Sequence, residues 1–321
     1  MADGAEEAAR RLRGMAYMAF GIFAFSFQDM IIKGISGLYP VHEIVFVRSF
    51  LVLPLMLVIA HFEHGIRGLA TKRLGTHIFR GSIMFLAYNF YYLGIAALPL
   101  ATTTALAFSA PLFITALAGP LLGERVGLTR WLAVLAGFFG VLIVMWDRLN
   151  FTEFAVLLPV ISSFFYALAQ LQARHIGGTE SGAALSFYLA VLFVFWSGVA
   201  GIVLGSGEYA ASAHPSLAFL LRAWVWPSPE HLLLMAGCGL SAGFGIYGLS
   251  QGYRLALASE AALFEYTALP WSILWGFLFF AEIPSLNTLL GVPVVIAAGL
   301  AIAWRERRRA AAADGTVKAA V

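Results

Sequence analysis

Charge is scarce in this chain. Only 12% of its 321 residues are Asp, Glu, Lys or Arg, whereas 61% are hydrophobic. That leaves too little polar surface to cover a soluble globule. Cysteine is almost absent: Cys238 stands alone, which excludes a disulfide within the chain and a cysteine-based metal site. It lies in an apolar run, where packing is its expected role. No G-x-x-x-x-G-K-[ST] pattern occurs, so direct ATP coupling through a P-loop is excluded. The histidines (His42, His61, His64, His77, His175, His214 and His231) fall in loops or near the ends of apolar runs. None forms a pair at metal-ligand spacing. Ser197-Gly198 resembles a nucleophile turn but has no histidine at its depth. No metal, cofactor or enzymatic chemistry is expected.

Long apolar runs are what the chain does have. A helix needs roughly 20 mostly apolar residues to cross a hydrocarbon layer about 30 Å thick. Ten runs qualify, near 15–32, 41–60, 81–98, 100–122, 129–146, 152–173, 182–204, 231–253, 258–280 and 285–304. Lys and Arg concentrate on the cytoplasmic side of such chains. With the N-terminus inside, sixteen fall in inner segments: Arg10, Arg11, Arg13, Arg67, Lys72, Arg73, Arg80, Arg125, Arg130, Arg174, Arg254, Arg305, Arg307, Arg308, Arg309 and Lys318. Only Lys33, Arg148 and Arg222 fall outside, and Arg48 lies within the second run. Both termini are therefore expected in the cytoplasm. The basic tail 305–309 reads as a cluster on anionic lipid headgroups, so the net charge of +3 calls for no nucleic acid. No small-residue cleavage site follows the first run, which predicts a retained helix rather than a removed leader. Residues 205–230 form a long outer loop. Leu217, Leu220, Leu221 and Trp224 recur there at helical spacing, which predicts a short interfacial helix.

The chain also repeats itself. ALPLATTTAL (97–106) and RLALASEAAL (254–263) match at five of ten positions with a constant shift of 157. Pro111, Glu124 and Gly140 then find ordered counterparts in Pro270, Glu282 and Gly299. Each half holds five runs, and an odd number forces the second half to enter from the opposite side. Inverted repeats are a recurring architecture of secondary transporters, with the solute site near the midplane between the halves.

The stretch YYLGIAALPLATTTALAFSAPLFITALAGPLLGERVGLTRWLAVLAGFFGVLIV (91–144) resembles the first EamA-type unit of the drug/metabolite transporter superfamily. EYTALPWSILWGFLFFAEIPSLNTLLGVPVVIAAGLAIAWRER (265–307) resembles the end of the second unit. DMIIKGISGLYPVHEIVFVR (29–48) is similar to that family's first hairpin. The resemblance runs from about 15 to 307. It implies an all-α membrane protein of ten transmembrane helices in two inverted five-helix repeats. The expected organisation is a tail at 1–14, a first repeat at 15–148, a second at 149–304 with the outer loop 205–230, and a basic tail at 305–321. It also implies movement of small organic solutes without nucleotide hydrolysis. The EYT motif and the hairpin look closest to members carrying amphiphilic metabolites such as S-adenosylmethionine or riboflavin, beside amino-acid exporters.

Ionisable groups inside a span cost about 2.5–3.5 kcal/mol on insertion scales and usually face the bundle interior with a partner. Asp29 and Lys33 lie four residues apart on one face, opposite Glu43 and Arg48. Asp29 and Arg48 fall at similar depth and can pair, as an outer gate or as an ion pair fixing two helices. Glu265, with Tyr266 and Trp271, has no cation in its own helix. It can exchange protons, meet a cationic solute, or brace a neighbouring helix. Glu260 is nearer the cytoplasmic end, where water solvates it. Phe85, Tyr88, Asn89 and Tyr92 share one helix face, as do Ser163, Tyr166 and Gln170. These faces point inward, as solute lining or as helix packing. Pro111 and Pro270 interrupt corresponding helices, and interrupted helices in matching positions mark a solute site. The threonines 102–104 can donate hydroxyls there or bond back to their own helix. Gly237, Ser241 and Gly245 form a small-residue stripe for close helix packing, and Gly248 and Gly252 another.

The expected function is secondary transport of a small organic, amphiphilic or aromatic metabolite, with export favoured slightly on the resemblance. Uptake or exchange of a vitamin or nucleoside-like metabolite is the alternative, and a non-transporting scaffold or lipid-handling subunit the reading of another class. The expected partners are the solute and the bilayer, with protons the candidate coupling ion; a homodimer stays open. The three lysines against seventeen arginines match a GC-rich genome, hence a bacterial inner membrane.

Overall fold

In hydrocarbon each backbone N–H and C=O must be satisfied within the chain, which leaves an apolar run little choice but helix. A computed structural model describes the backbone of residues 2–122, 127–146, 154–176, 182–210, 214–255 and 265–318. The regular elements among the described residues are helices. They are α1 (Ala2–Ile35), α2 (Val41–His64), α3 (Leu74–Ala97), α4 (Leu100–Ala107), α5 (Ala110–Leu122), α6 (Leu128–Met145), α7 (Leu157–Ile176), α8 (Gly182–Leu204), α9 (Pro215–Leu221), α10 (Pro229–Leu255), α11 (Ala268–Phe280) and α12 (Leu286–Lys318). Six stretches among the described residues are long and apolar enough to cross a membrane, and three shorter helices are comparably apolar. Glu124, Glu260 and the start of the ninth expected run, 258–264, lie outside the described residues.

Two boundaries differ from expectation. The third run was predicted from residue 81, but α3 starts at Leu74. Arg80 is therefore a helix residue, and it is buried at 9% exposure rather than lying in a loop. The cause is burial: His77, Arg80, Ser82 and Asn89 lower the hydropathy of α3, yet its face is covered by α7 and α8. The fourth run, 100–122, is two helices. The chain turns at Phe108 and Ser109, where Phe108 N–H still donates to Thr104 O (3.2 Å) and Ser109 N–H to Leu106 O (3.1 Å). Pro111 sits in the first turn of α5, and Pro270 in the first turn of α11. Neither proline kinks a helix interior. Each starts the helix that follows a break, because its fixed φ and missing N–H cost nothing there.

The main packing partners are α1 with α10, α2 with α8, α3 with α7, and α6 with α12, while α11 packs on α4 and α1. Small residues set the closest approaches. A Cβ on Gly248 would meet Tyr17 O at 2.7 Å and Gly21 Cα at 2.8 Å, where α10 lies against α1. Gly140 and Gly291 play the same part between α6 and α12, with a Cβ on Gly291 meeting Gly140 O at 2.6 Å. Large apolar side chains cover the outside, including Phe62, Ile202 and Leu233. The loop after α8 carries α9, whose Phe219 is fully buried and whose Ser216 Oγ donates to Leu93 O at 2.7 Å.

Candidate functional site

The broken helices leave room between them. A cavity of about 160 Å³ is lined by Ile22, Phe25, Ser26 and Asp29 of α1, Tyr91 of α3, Leu100 and Thr104 of α4, Tyr166 of α7, Leu249 of α10, and Glu265, Ala268 and Ser272 around the start of α11. Asp29 Oδ2 accepts a hydrogen bond from Tyr91 Oη at 2.9 Å. Tyr166 Oη accepts from Gln170 Nε2 at 2.6 Å. Ser26 Oγ donates to Phe23 O at 2.8 Å and accepts from Trp275 Nε1 at 3.2 Å. Behind that wall Phe23, Trp271 and Trp275 form an aromatic shelf, with Trp271 and Trp275 stacked at 5.9 Å. Two carboxylates thus face one small space whose remaining walls are rings, hydroxyls and aliphatic carbon. Phe108 and Tyr266, one at each break, meet edge to face at 5.1 Å.

Of the residues singled out in the sequence, the cavity joins Asp29, Thr104, Tyr166 and Glu265. Tyr88, Asn89, Tyr92, Gln170, Tyr266 and Trp271 do not line it. Asn89 Nδ2 donates back to Phe85 O at 2.8 Å. Ser163 Oγ donates to Ala107 O at 3.0 Å and so satisfies a carbonyl at the α4–α5 break. The three threonines diverge: Thr102 meets Thr288 (3.3 Å), Thr103 donates to Pro99 O (3.1 Å), and Thr104 faces the cavity. Tyr91 was missed. Its neighbour Tyr92 fitted the chosen stripe, and one residue is a 100° turn of the helix.

A second polar group lies between α1, α2, α3 and α8. Arg48, 3% exposed, does not form the expected contact pair with Asp29. Its Nη1 donates to Gln28 Oε1 at 2.9 Å, and Gln28 Nε2 donates to Tyr92 Oη at 2.8 Å. The guanidinium lies over Tyr88 (5.7 Å), Tyr92 (5.3 Å) and Phe193 (5.8 Å). Arg48 acts on Asp29 only through space. The reason is position: Gln28 is the preceding residue of α1 and faces α2, while Asp29 faces the cavity.

Lys33 and Glu43 also part company with that group. Lys33 Nζ pairs with Glu282 Oε1 at 2.8 Å and donates to Ile95 O (3.0 Å) and Leu98 O (2.6 Å). Glu282 Oε2 accepts from Leu100 N–H at 2.9 Å. Glu43, fully buried, accepts from Val225 N–H at 3.2 Å and so holds the segment after α9. Arg222 Nη1 ties the same segment to Ser36 O at 2.6 Å.

Apolar side chains on the outside and acids and hydroxyls around a cavity between helices are the arrangement of an integral membrane protein with a polar interior. Comparison with known proteins gives the particular group. The EamA-like transporter family matches residues 12–146. A riboflavin transporter of Rhizobium johnstonii is 30% identical over 245 residues, 76% of this chain and 75% of the relative. An S-adenosylmethionine uptake transporter of Rickettsia felis is 25% identical over 297 residues, 92% of this chain and 94% of the relative. A solved crystal structure, 17% identical, superposes with a TM-score of 0.62 over 92% of this chain and 97% of that one. The chain belongs to the EamA-like transporters of the drug/metabolite transporter superfamily.

Proposed function

We propose that this chain is a secondary transporter that takes up a small organic solute bearing a cationic centre and a flat ring. The observation that carries the reading is the cavity, where Asp29 and Glu265 face the rings of Phe25, Tyr91 and Tyr166. Carboxylates recognise a cation, and tyrosine and phenylalanine faces recognise both a cation and an aromatic ring. Of the solutes named for its relatives, S-adenosylmethionine has that chemistry, with a sulfonium and an adenine ring. The slight preference for export has no support among these relatives: the S-adenosylmethionine transporter is named for uptake, and the riboflavin transporter's name gives no direction.

The ten-helix, inverted-repeat reading draws support from the packing. Number the runs one to ten, with α4 and α5 together as the fourth. The second pairs with the seventh, the fourth with the ninth and the fifth with the tenth, each mapping onto itself under exchange of the halves. The first with the eighth and the third with the sixth exchange with each other. At about 160 Å³ the cavity is smaller than the few hundred Å³ of most ligand pockets. A metabolite therefore requires the two halves to part, as alternating access does.

The test is uptake of radiolabelled S-adenosylmethionine and riboflavin into cells expressing the full chain or its Glu265→Gln variant. The reading expects S-adenosylmethionine to enter, and Glu265→Gln to insert normally yet lose most of that flux. Wild-type flux in the variant would reduce Glu265 to a structural residue. Riboflavin entering alone would replace the cationic solute by a neutral one.

A further inference from the structure

We infer that Arg80, which reaches from α3 to α8 outside the lining of the acidic cavity, is an oxyanion subsite for the transported solute. The inference rests on the transport reading above and adds to it a second charge on the solute.

Arg80 lies about 9 Å along α3 from its start, at 1.5 Å per residue, and is 9% exposed. Its one hydrogen bond among the described residues runs from Nη1 to Leu185 O at 3.3 Å. That carbonyl lies in the first turns of α8, where the helix ladder already engages it. Its Nε has no partner. A guanidinium has five N–H donors in a planar fork suited to a carboxylate or phosphate. Among the described residues only Nη1 of that fork is engaged, and no carboxylate among them pairs with it. A buried cation of this kind calls for an anionic partner.

Its position indicates which anion. Arg80 reaches from α3 toward α8, at the seam between the two halves of the chain. Tyr166 and Tyr88 act on it through space, and α3 packs along α7, which carries Tyr166. Tyr166 is also a wall of the cavity that holds Asp29 and Glu265. Tyr166 thus belongs both to the wall of the acidic cavity and to the helix packed along the one that carries the guanidinium. A solute held at both ends is zwitterionic: a cationic, ring-bearing part at Asp29 and Glu265, and a carboxylate at Arg80. The small cavity fits this division, since it has room for only part of such a solute.

An anionic lipid headgroup offers the same oxyanion chemistry, so the test separates the two. The full chain and its Arg80→Gln and Arg80→Lys variants are placed in nanodiscs of phosphatidylcholine, with and without phosphatidylglycerol. Binding is measured for S-adenosylmethionine and for its decarboxylated form, which keeps the sulfonium and the adenine. The wild type is expected to bind the carboxylate-bearing probe at least about tenfold more tightly, since a site built for a polar group rejects the analogue that lacks it. Arg80→Gln should erase that preference by weakening S-adenosylmethionine alone, and Arg80→Lys should keep part of it. Melting of the ligand-free Arg80→Gln protein should match or exceed the wild type, because the substitution removes an unpaired buried charge. Equal weakening of both probes, an unchanged preference, or a large loss of melting temperature would overturn the inference. So would a melting temperature that depends on phosphatidylglycerol through Arg80 while the probe preference does not, since the anion is then lipid. If neither probe binds the wild type, the cationic-solute reading fails, and benzoate decides Arg80 separately. Stabilisation by benzoate that is lost in Arg80→Gln upholds the oxyanion subsite; no stabilisation overturns it.

Discussion

Lys33 Nζ and Glu282 Oε1 lie 2.8 Å apart, with side chains 11% and 19% exposed, and each also sits at a helix end of favourable sign. Lys33 caps the last carbonyls of α3 through Ile95 O and Leu98 O, and Glu282 accepts the first N–H of α4 from Leu100. A cation at a helix C-terminus and an anion at an N-terminus both gain from the helix dipoles. The pair joins α1 to the turn between α11 and α12, and closes the bundle at that end.

Glu282→Gln should therefore loosen this end. Breaking one partner of a largely buried pair costs about 3 kcal/mol, read as a lower denaturation midpoint. A Ser26→Cys reporter on the cavity wall should also label faster with an externally added maleimide. Cys238 is fully buried, so the parent protein supplies the blank. Unchanged labelling of the reporter would show that the pair is not a gate.

Gln28→Leu should cost about 1–3 kcal/mol, because it leaves Arg48 buried without its acceptor. Tyr92→Phe removes only the outer bond of the chain, at about 1 kcal/mol. Chemical denaturation of the two variants checks the order. A reversed order would mean that Arg48 is held chiefly by the rings around it.

Asp29→Asn should abolish uptake while the protein inserts normally, and Tyr91→Phe should reduce uptake only a few-fold. Tyr91 donates to Asp29 but leaves the charge in place when it is lost. Initial uptake rates separate the two, and equal loss in both would assign the main role to the hydroxyl.

Gly248→Ala should destabilise by about 1–3 kcal/mol, the usual cost of overpacking, since its Cβ would strike the α1 backbone at Tyr17 and Gly21. Gly237→Ala, whose Cβ would meet only Ile31 Cδ1 at 3.7 Å, should be tolerated. Melting temperatures of the two variants settle whether the backbone approach at Gly248 or the looser contact at Gly237 sets the spacing of α10 and α1.

Much of the architecture was legible in advance. The helical, membrane-spanning character lies in the apolar runs themselves. So did part of the site: Asp29, Tyr166 and Glu265 stood out as polar groups where polar groups are costly. The break at Phe108 and Ser109 was less legible, because Pro111 drew attention to itself and lies one turn beyond it. Arg80 was hidden by a boundary, since a cation beside an apolar run reads as the end of a helix. Tyr91 was lost to Tyr92 because periodicity selects a face and cannot say which cavity that face meets.

The sequence by itself determined that this chain is a helical membrane protein of the EamA-like kind. Hydrocarbon admits no unsatisfied backbone, so composition and run length decide that much. Only the tertiary structure decided the partner of each buried charge. Lys33 went to Glu282 and not to Asp29, Arg48 went to Gln28, and Arg80 found a single carbonyl. Helical spacing places a side chain on a face at a depth. Its partner depends on which helix lies against that face and at what rotation, and small-residue contacts such as Gly248 on Gly21 set both.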